Sequence, residues 1–103
     1  MANTYSQIYL HIIFSVRERQ RLLKKPLRTE LCKYISKIIE NKGHKLIIIN
    51  GIEDHLHLVI SFKPDFKLSE LIKSIKTSSS KWINEQNKIP GKFQWQEGYA
   101  VFS

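Results

Sequence analysis

Glu53-Asp54-His55-Leu56-His57-Leu58-Val59-Ile60-Ser61-Phe62 decides how this chain is read. The run is short and apolar, as a buried strand is. Side chains two apart on a strand leave the same face. His55 and His57 therefore project together, and Leu56, Leu58, Ile60 and Phe62 project the other way. Two neighbouring imidazoles on rigid backbone suit a divalent metal. His-x-His is a short pattern, however, and two ordinary strand histidines satisfy it as well.

Working outward, residues 45–50 are rich in isoleucine and read as the preceding strand. Asn50-Gly51 with residues 52–54 supplies a hairpin connection between the two. Residues 5–16 alternate, with Ile8, Leu10, Ile12, Phe14 and Val16 on one side and Tyr9, His11, Ile13 and Ser15 on the other. That pattern predicts a first strand covered fully on one face only. A basic loop over 17–25 leads to a helix with Pro26 as its first residue. Leu27, Leu31, Tyr34, Ile35, Ile38 and Ile39 form its apolar stripe, and Gly43 suits its C-cap. Downstream, Lys63-Pro64 ends the histidine strand and a second helix opens over 65–69. Leu68, Leu71, Ile72, Ile75, Trp82 and Ile83 make its buried stripe, interrupted by Ser79. After a loop over 87–91, residues 92–102 read as a fourth strand carrying Phe93, Trp95, Tyr99 and Phe102.

The order β-α-β-β-α-β predicts an α+β fold over residues 1–103, a single domain. Two right-handed crossovers give a ferredoxin-like, four-stranded antiparallel sheet with both helices on one face. The first and third strands are then central neighbours. His11 shares the helix-free face with His55 and His57. It is either a third ligand, a group orienting a ligand, or a half-covered histidine. Asp54 either orients a histidine or caps the hairpin. His44, at a helix–strand junction, reads as a surface residue.

The net charge is +8 and the sequence pI about 9.8. The charge is unevenly placed: Arg17, Arg19, Arg21, Lys24, Lys25 and Arg28 crowd one segment against Glu18 alone. Lys73, Lys76 and Lys81 lie on the second helix among serines and Thr77. This favours a nucleic-acid partner over a solvated basic surface. Arg17, Arg19, Arg21, Lys73, Lys76 and Lys81 are the candidate phosphate contacts, with Trp95 or Phe93 as a stacking platform, as core or as a dimer contact. No apolar run reaches spanning length and no signal-peptide pattern opens the chain, so no membrane partner is expected. Cys32 stands alone, which excludes a disulfide framework and points to the cytoplasm.

The element order, the opening Tyr5-x-Gln7-Ile8-Tyr9-x-His11-Ile12-x-Phe14, the run Asp54-His55-Leu56-His57-Leu58 and the ending Lys92-Phe93-Gln94-Trp95-Gln96-Glu97-Gly98-Tyr99 together carry a resemblance. The chain resembles the single-tyrosine HUH transposases, the small transposase A proteins of insertion sequences, and their REP-associated tyrosine transposase relatives. The resemblance implies binding of imperfect hairpins on single-stranded DNA. It implies strand cleavage and rejoining through a phosphotyrosine, with Mg²⁺ or Mn²⁺ held by His55 and His57. It also implies a homodimer, which would cover the aromatic edge strand. The family's catalytic tyrosine and a third polar ligand sit on a helix after the fourth strand. That tyrosine is therefore expected beyond Ser103, and the chain as written is expected to bind DNA and metal weakly without catalysing transfer. Tyr9, two residues from His11, is geometrically the nearest substitute. A non-catalytic nucleic-acid-binding module with an RRM-like sheet is the alternative, as is a remnant competing with an intact transposase. The first asks for aromatics where His11, His55 and His57 stand.

Overall fold

The computed structural model describes residues 8–62 and 66–103. The expected strand residues 5–7, the Lys63-Pro64 stop and Asp65 lie outside them. Strand β1 is Ile8–Ser15, followed by a 3-10 turn at Arg17–Arg19. Helix α1 is Leu27–Asn41, β2 is Lys45–Ile52, β3 is His55–Phe62, α2 is Leu68–Gln86 and β4 is Ala100–Phe102. The sheet order is β2-β3-β1-β4 with every pairing antiparallel. This is the four-stranded α+β arrangement that the hydrophobic periodicity predicts.

The alternation on β3 is regular: every second residue from Leu56 to Phe62 is buried and the residues between are half-buried. Leu56, Leu58 and Ile60 are fully buried beside Ile12 and Phe14 of β1. Against them pack Leu31, Ile35 and Ile39 of α1 and Leu71, Ile72, Ile75 and Ile83 of α2. Each such side chain contributes about 1.5–3 kcal/mol when buried. One face of the sheet thus carries the core and both helices, and the histidine face is left free of them. The helices meet where Tyr34 stacks on Trp82 at 5.0 Å between ring centroids.

Four details depart from the sequence expectation. First, the hairpin turns at Glu53 and Asp54, with Ile52 paired to His55, while Asn50 and Gly51 stay within β2. Only glycine fits at 51, because a Cβ there would stand 2.6 Å from the His55 carbonyl oxygen. Second, Pro26 is the N-cap, one residue before the helix, after a cis peptide bond from Lys25.

Third, His44 is not a surface residue. It is 4% exposed, stacked on Phe62 at 5.0 Å and edge-on to Phe66 at 4.5 Å. The imidazole closes the end of the core, a role its polar type hides in a sequence. Fourth, the expected strand over 92–102 is ordered as two pieces. Trp95 makes an isolated bridge to Val16, and only Ala100–Phe102 pairs with β1. Gly98, at a φ of 83°, adopts the left-handed conformation between the pieces. Phe93 and Trp95 turn into the core at 1% and 9% exposure, which removes both as stacking platforms. Asn84 of α2 holds Phe93 like a neighbouring strand: its Oδ1 accepts from the Phe93 N–H at 2.7 Å and its Nδ2 donates to the carbonyl at 3.2 Å.

Candidate functional site

Two surfaces carry chemistry. The first is the helix-free face of β1 and β3. The His55 and His57 rings stand 6.1 Å apart, half-buried, and His11 meets His57 edge-on at 5.7 Å. His55 Nδ1 bonds Asp54 Oδ1 at 2.8 Å, and the other Asp54 oxygen accepts from Arg19 Nε at 3.3 Å. Asp54 therefore both turns the hairpin and orients a ring. Tying Nδ1 to a carboxylate fixes the His55 tautomer and leaves Nε2 for a ligand, the usual carboxylate–histidine arrangement at metal sites.

The electrostatics agree with that use. The His55 hydrogen bond, with help from Arg19, holds the Asp54 carboxyl below its ordinary range despite some desolvation. Burial, followed by repulsion from the neighbouring His11 and His55 rings, pushes His57 below its ordinary value of 6.5. A neutral His57 keeps a lone pair available. Among the described residues no group of three His, Cys, Asp or Glu side chains is placed to hold an ion. The histidine pair would thus need oxygens from phosphate or water to complete a shell, which suits Mg²⁺ or Mn²⁺. His11 does not complete a three-residue set. Its Nε2 is buried and has no hydrogen-bond partner among the described residues.

Both shifts lower the folded-state pKa. Their stabilisation is present above the unfolded values and is lost as pH falls below them toward the lower folded values, a loss that begins near 6.5 for His57 and near 3.8 for Asp54. In metal-free buffer the urea midpoint is expected to decline from pH 7.5 to pH 5, and His57→Phe is expected to flatten that decline. An equal slope in both proteins would contradict the assignment.

The second surface is a groove of about 800 Å³ between the first half of α2 and residues 94–99. Lys73, Lys76, Thr77 and Ser80 line it at helical spacing, together with Arg17. Of the six predicted phosphate contacts, the fold therefore brings three together. Lys76 is not free among them: its ammonium donates to the carbonyls of Gln96 at 2.7 Å and Gly98 at 2.5 Å, 6.0 Å from the Phe14 centroid. Burial lowers its pKa, partly opposed by Glu97. Arg19 and Arg21 pair with Asp54 at 3.3 Å and Glu53 at 3.0 Å, fastening the basic segment to the hairpin turn. Lys81 is exposed on α2 and is not part of the groove lining.

Tyr9 and Tyr34 stand away from the histidine pair. Tyr9 is 51% exposed but pairs with Ser61, four residues along β3 from His57, which is about 13 Å of strand. Tyr34 is on α1, beyond the sheet, and Tyr99 lines the groove. Tyr5 lies outside the described residues. The sequence offers Gln94, Gln96 and Tyr99 only as part of the family-like ending, and nothing in it singles out Asn84, whose partner Phe93 is supplied by the fold. Among the described residues, no helix is long and apolar enough to cross a membrane.

A family model described as "Transposase IS200 like" matches residues 4–103. The ISDra2 transposase TnpA of Deinococcus radiodurans is 22% identical over 102 residues, spanning 94% of this chain and 73% of that protein. A solved structure described as a transposase from Deinococcus radiodurans R1 superposes with a TM-score of 0.89 at 20% identity, covering 100% of this chain and 84% of that one. A REP-associated tyrosine transposase bound to a REP hairpin superposes with a TM-score of 0.70 at 14% identity, covering 99% of this chain and 61% of that one. At those identities the two structures show likeness of fold.

Proposed function

The chain belongs to the IS200-like transposase family, and from that membership we propose that it binds hairpins in single-stranded DNA at the ends of a mobile element and takes part in their cleavage and rejoining. The observation that carries the reading is the Asp54–His55–His57 constellation on the helix-free face, in a chain that also carries a basic groove. The hairpin held by the REP-associated relative supports the choice of substrate.

His55, through Nε2, and His57 would hold Mg²⁺ or Mn²⁺. When bound, the ion supplies Lewis-acid polarisation of the scissile phosphate. Asp54 keeps the His55 ring aimed outward. Burial and the neighbouring His11 and His55 rings favour the deprotonated form of His57. In the cleavage step a tyrosine hydroxyl attacks phosphorus, the P–O3′ bond breaks, and the 3′ oxygen leaves as a hydroxyl after taking a proton. The 5′ phosphate stays on the tyrosine, so the bond energy is kept for rejoining. The family resemblance implies a nucleophile on a helix after β4.

Arg17 and Lys73 would neutralise phosphates. A second copy paired along β4 would cover Phe102, which is 55% exposed on the edge strand.

Hairpin DNA binding followed by fluorescence anisotropy tests this reading. Affinity is expected to fall steeply with salt, and Lys73→Ala to lower the log–log salt slope by about one. A flat salt response, or no hairpin binding at low salt, would remove it.

A further inference from the structure

We propose that the groove between α2 and residues 94–99 holds an unpaired nucleotide of single-stranded DNA and contacts its base. This rests on the proposed action on single-stranded DNA and adds where, and by which groups, an unpaired base is gripped.

Gln94 and Gln96 carry the argument. Gln94 Oε1 accepts a short hydrogen bond from Arg17 Nη1. Gln96 Oε1 accepts from the backbone N–H of Glu18 at 2.9 Å. A guanidinium and a backbone N–H can only donate, so each partner must be the amide oxygen, and the orientation of both side chains is fixed. Each NH₂ group is then left without a protein partner among the described residues. A groove lined by two amide donors, the Thr77 and Ser80 hydroxyls, Lys73 and Arg17 presents hydrogen-bond donors, with Glu97 the sole carboxylate in its lining. Its complement is a ligand of acceptors: phosphate oxygens together with the ring nitrogens and carbonyls of a base.

Shape and placement fit the same ligand. Tyr99 is 40% exposed in the lining and offers the stacking face that the buried Trp95 cannot. The volume of about 800 Å³ lies within the range of sites that take drug-sized molecules. Lys76 braces the wall by gripping two carbonyls of the 96–98 segment. The groove wall is tied to the histidine strand through β1. Gln96 N–H donates to the Ser15 carbonyl at 2.8 Å, and Ser15 is the cross-strand partner of His55. Two strand spacings, roughly 10 Å, separate the Gln96 and His55 backbones.

The test uses the full chain and fluorescein-labelled single-stranded octamers, one of mixed sequence and one made of abasic sites with the same phosphates. The unsubstituted protein is expected to bind the base-bearing octamer about tenfold more tightly, the yield of stacking one base. Gln94→Glu and Gln96→Glu keep the anchoring oxygen and remove the NH₂ donor; each is expected to shrink the ratio, as is Tyr99→Ala. Tyr99→Phe should retain it. Gln86→Glu, at the far end of α2, controls for added charge and should weaken both octamers equally. A ratio near one in the unsubstituted protein, or a ratio untouched by all three groove variants, overturns the proposal. Hairpin binding that persists in such a result would leave the proposed function standing; loss of both would remove the two together.

Discussion

Replacing His55 or His57 by alanine is expected to weaken Mn²⁺ binding by at least about a hundredfold, the scale of losing an inner ligand when an outer partner alone costs about 10–100-fold. Asp54→Asn should fall in that smaller range, because the ring stays and only its orienting carboxylate is lost. Titration calorimetry with Mn²⁺ measures all three. The folded protein should survive the changes, since both rings lie on the face away from the core and Leu56, Leu58 and Ile60 are untouched. Hairpin DNA binding should be nearly unaffected, because the basic groove is a separate surface. Unchanged Mn²⁺ affinity in the two alanine variants would sink the metal assignment while leaving the family membership intact.

The second large effect concerns stability. Trp95→Ala is expected to cost about 3–5 kcal/mol, a large share of the roughly 5–15 kcal/mol that holds a domain folded. The indole is wedged edge-on between Phe14 at 4.8 Å and Phe93 at 4.9 Å. Its Nε1 donates to Ser79 Oγ at 3.0 Å, and Ser79 in turn donates to the Ile75 carbonyl at 2.5 Å. Ser79→Ala should therefore cost about 1–3 kcal/mol by stranding the buried N–H. Combined with Trp95→Phe it should cost less than the two single changes added, since the phenylalanine has no donor to strand. Urea unfolding, with far-ultraviolet circular dichroism as the signal, gives each value. A Trp95→Ala protein within about 1 kcal/mol of the parent, which is no more than an average substitution, would mean that residues 93–96 are not part of the core.

Such a contribution from residues 93–96 was only half legible beforehand. The aromatics there alternate as in a strand, and a strand was the natural expectation. Two features defeated it: Gly98 reverses the local backbone, and Asn84 of α2 supplies the hydrogen bonds that a neighbouring strand would otherwise give. Ser79, an apparent gap in the apolar stripe of α2, proves to be the acceptor for an indole. A polar residue at a buried position makes sense only once its partner is known.

The charge reading shows the same division. The lysines and arginines were visible as clusters, but their availability was not. Arg19 and Arg21 are drawn into ion pairs with the hairpin turn, and Lys76 is drawn onto two carbonyls, by contacts that cross long stretches of sequence.

Periodicity of two and of 3.6 is a local property, so the amino-acid order alone determined the β-α-β-β-α-β succession, the buried stripes and the shared direction of His55 and His57. Hydrogen-bond and charge partners are chosen in three dimensions. Only the folded chain therefore decided that Asp54 orients His55, that His44 is buried, that the last strand breaks in two, and that Gln94 and Gln96 face a common groove with their oxygens already taken.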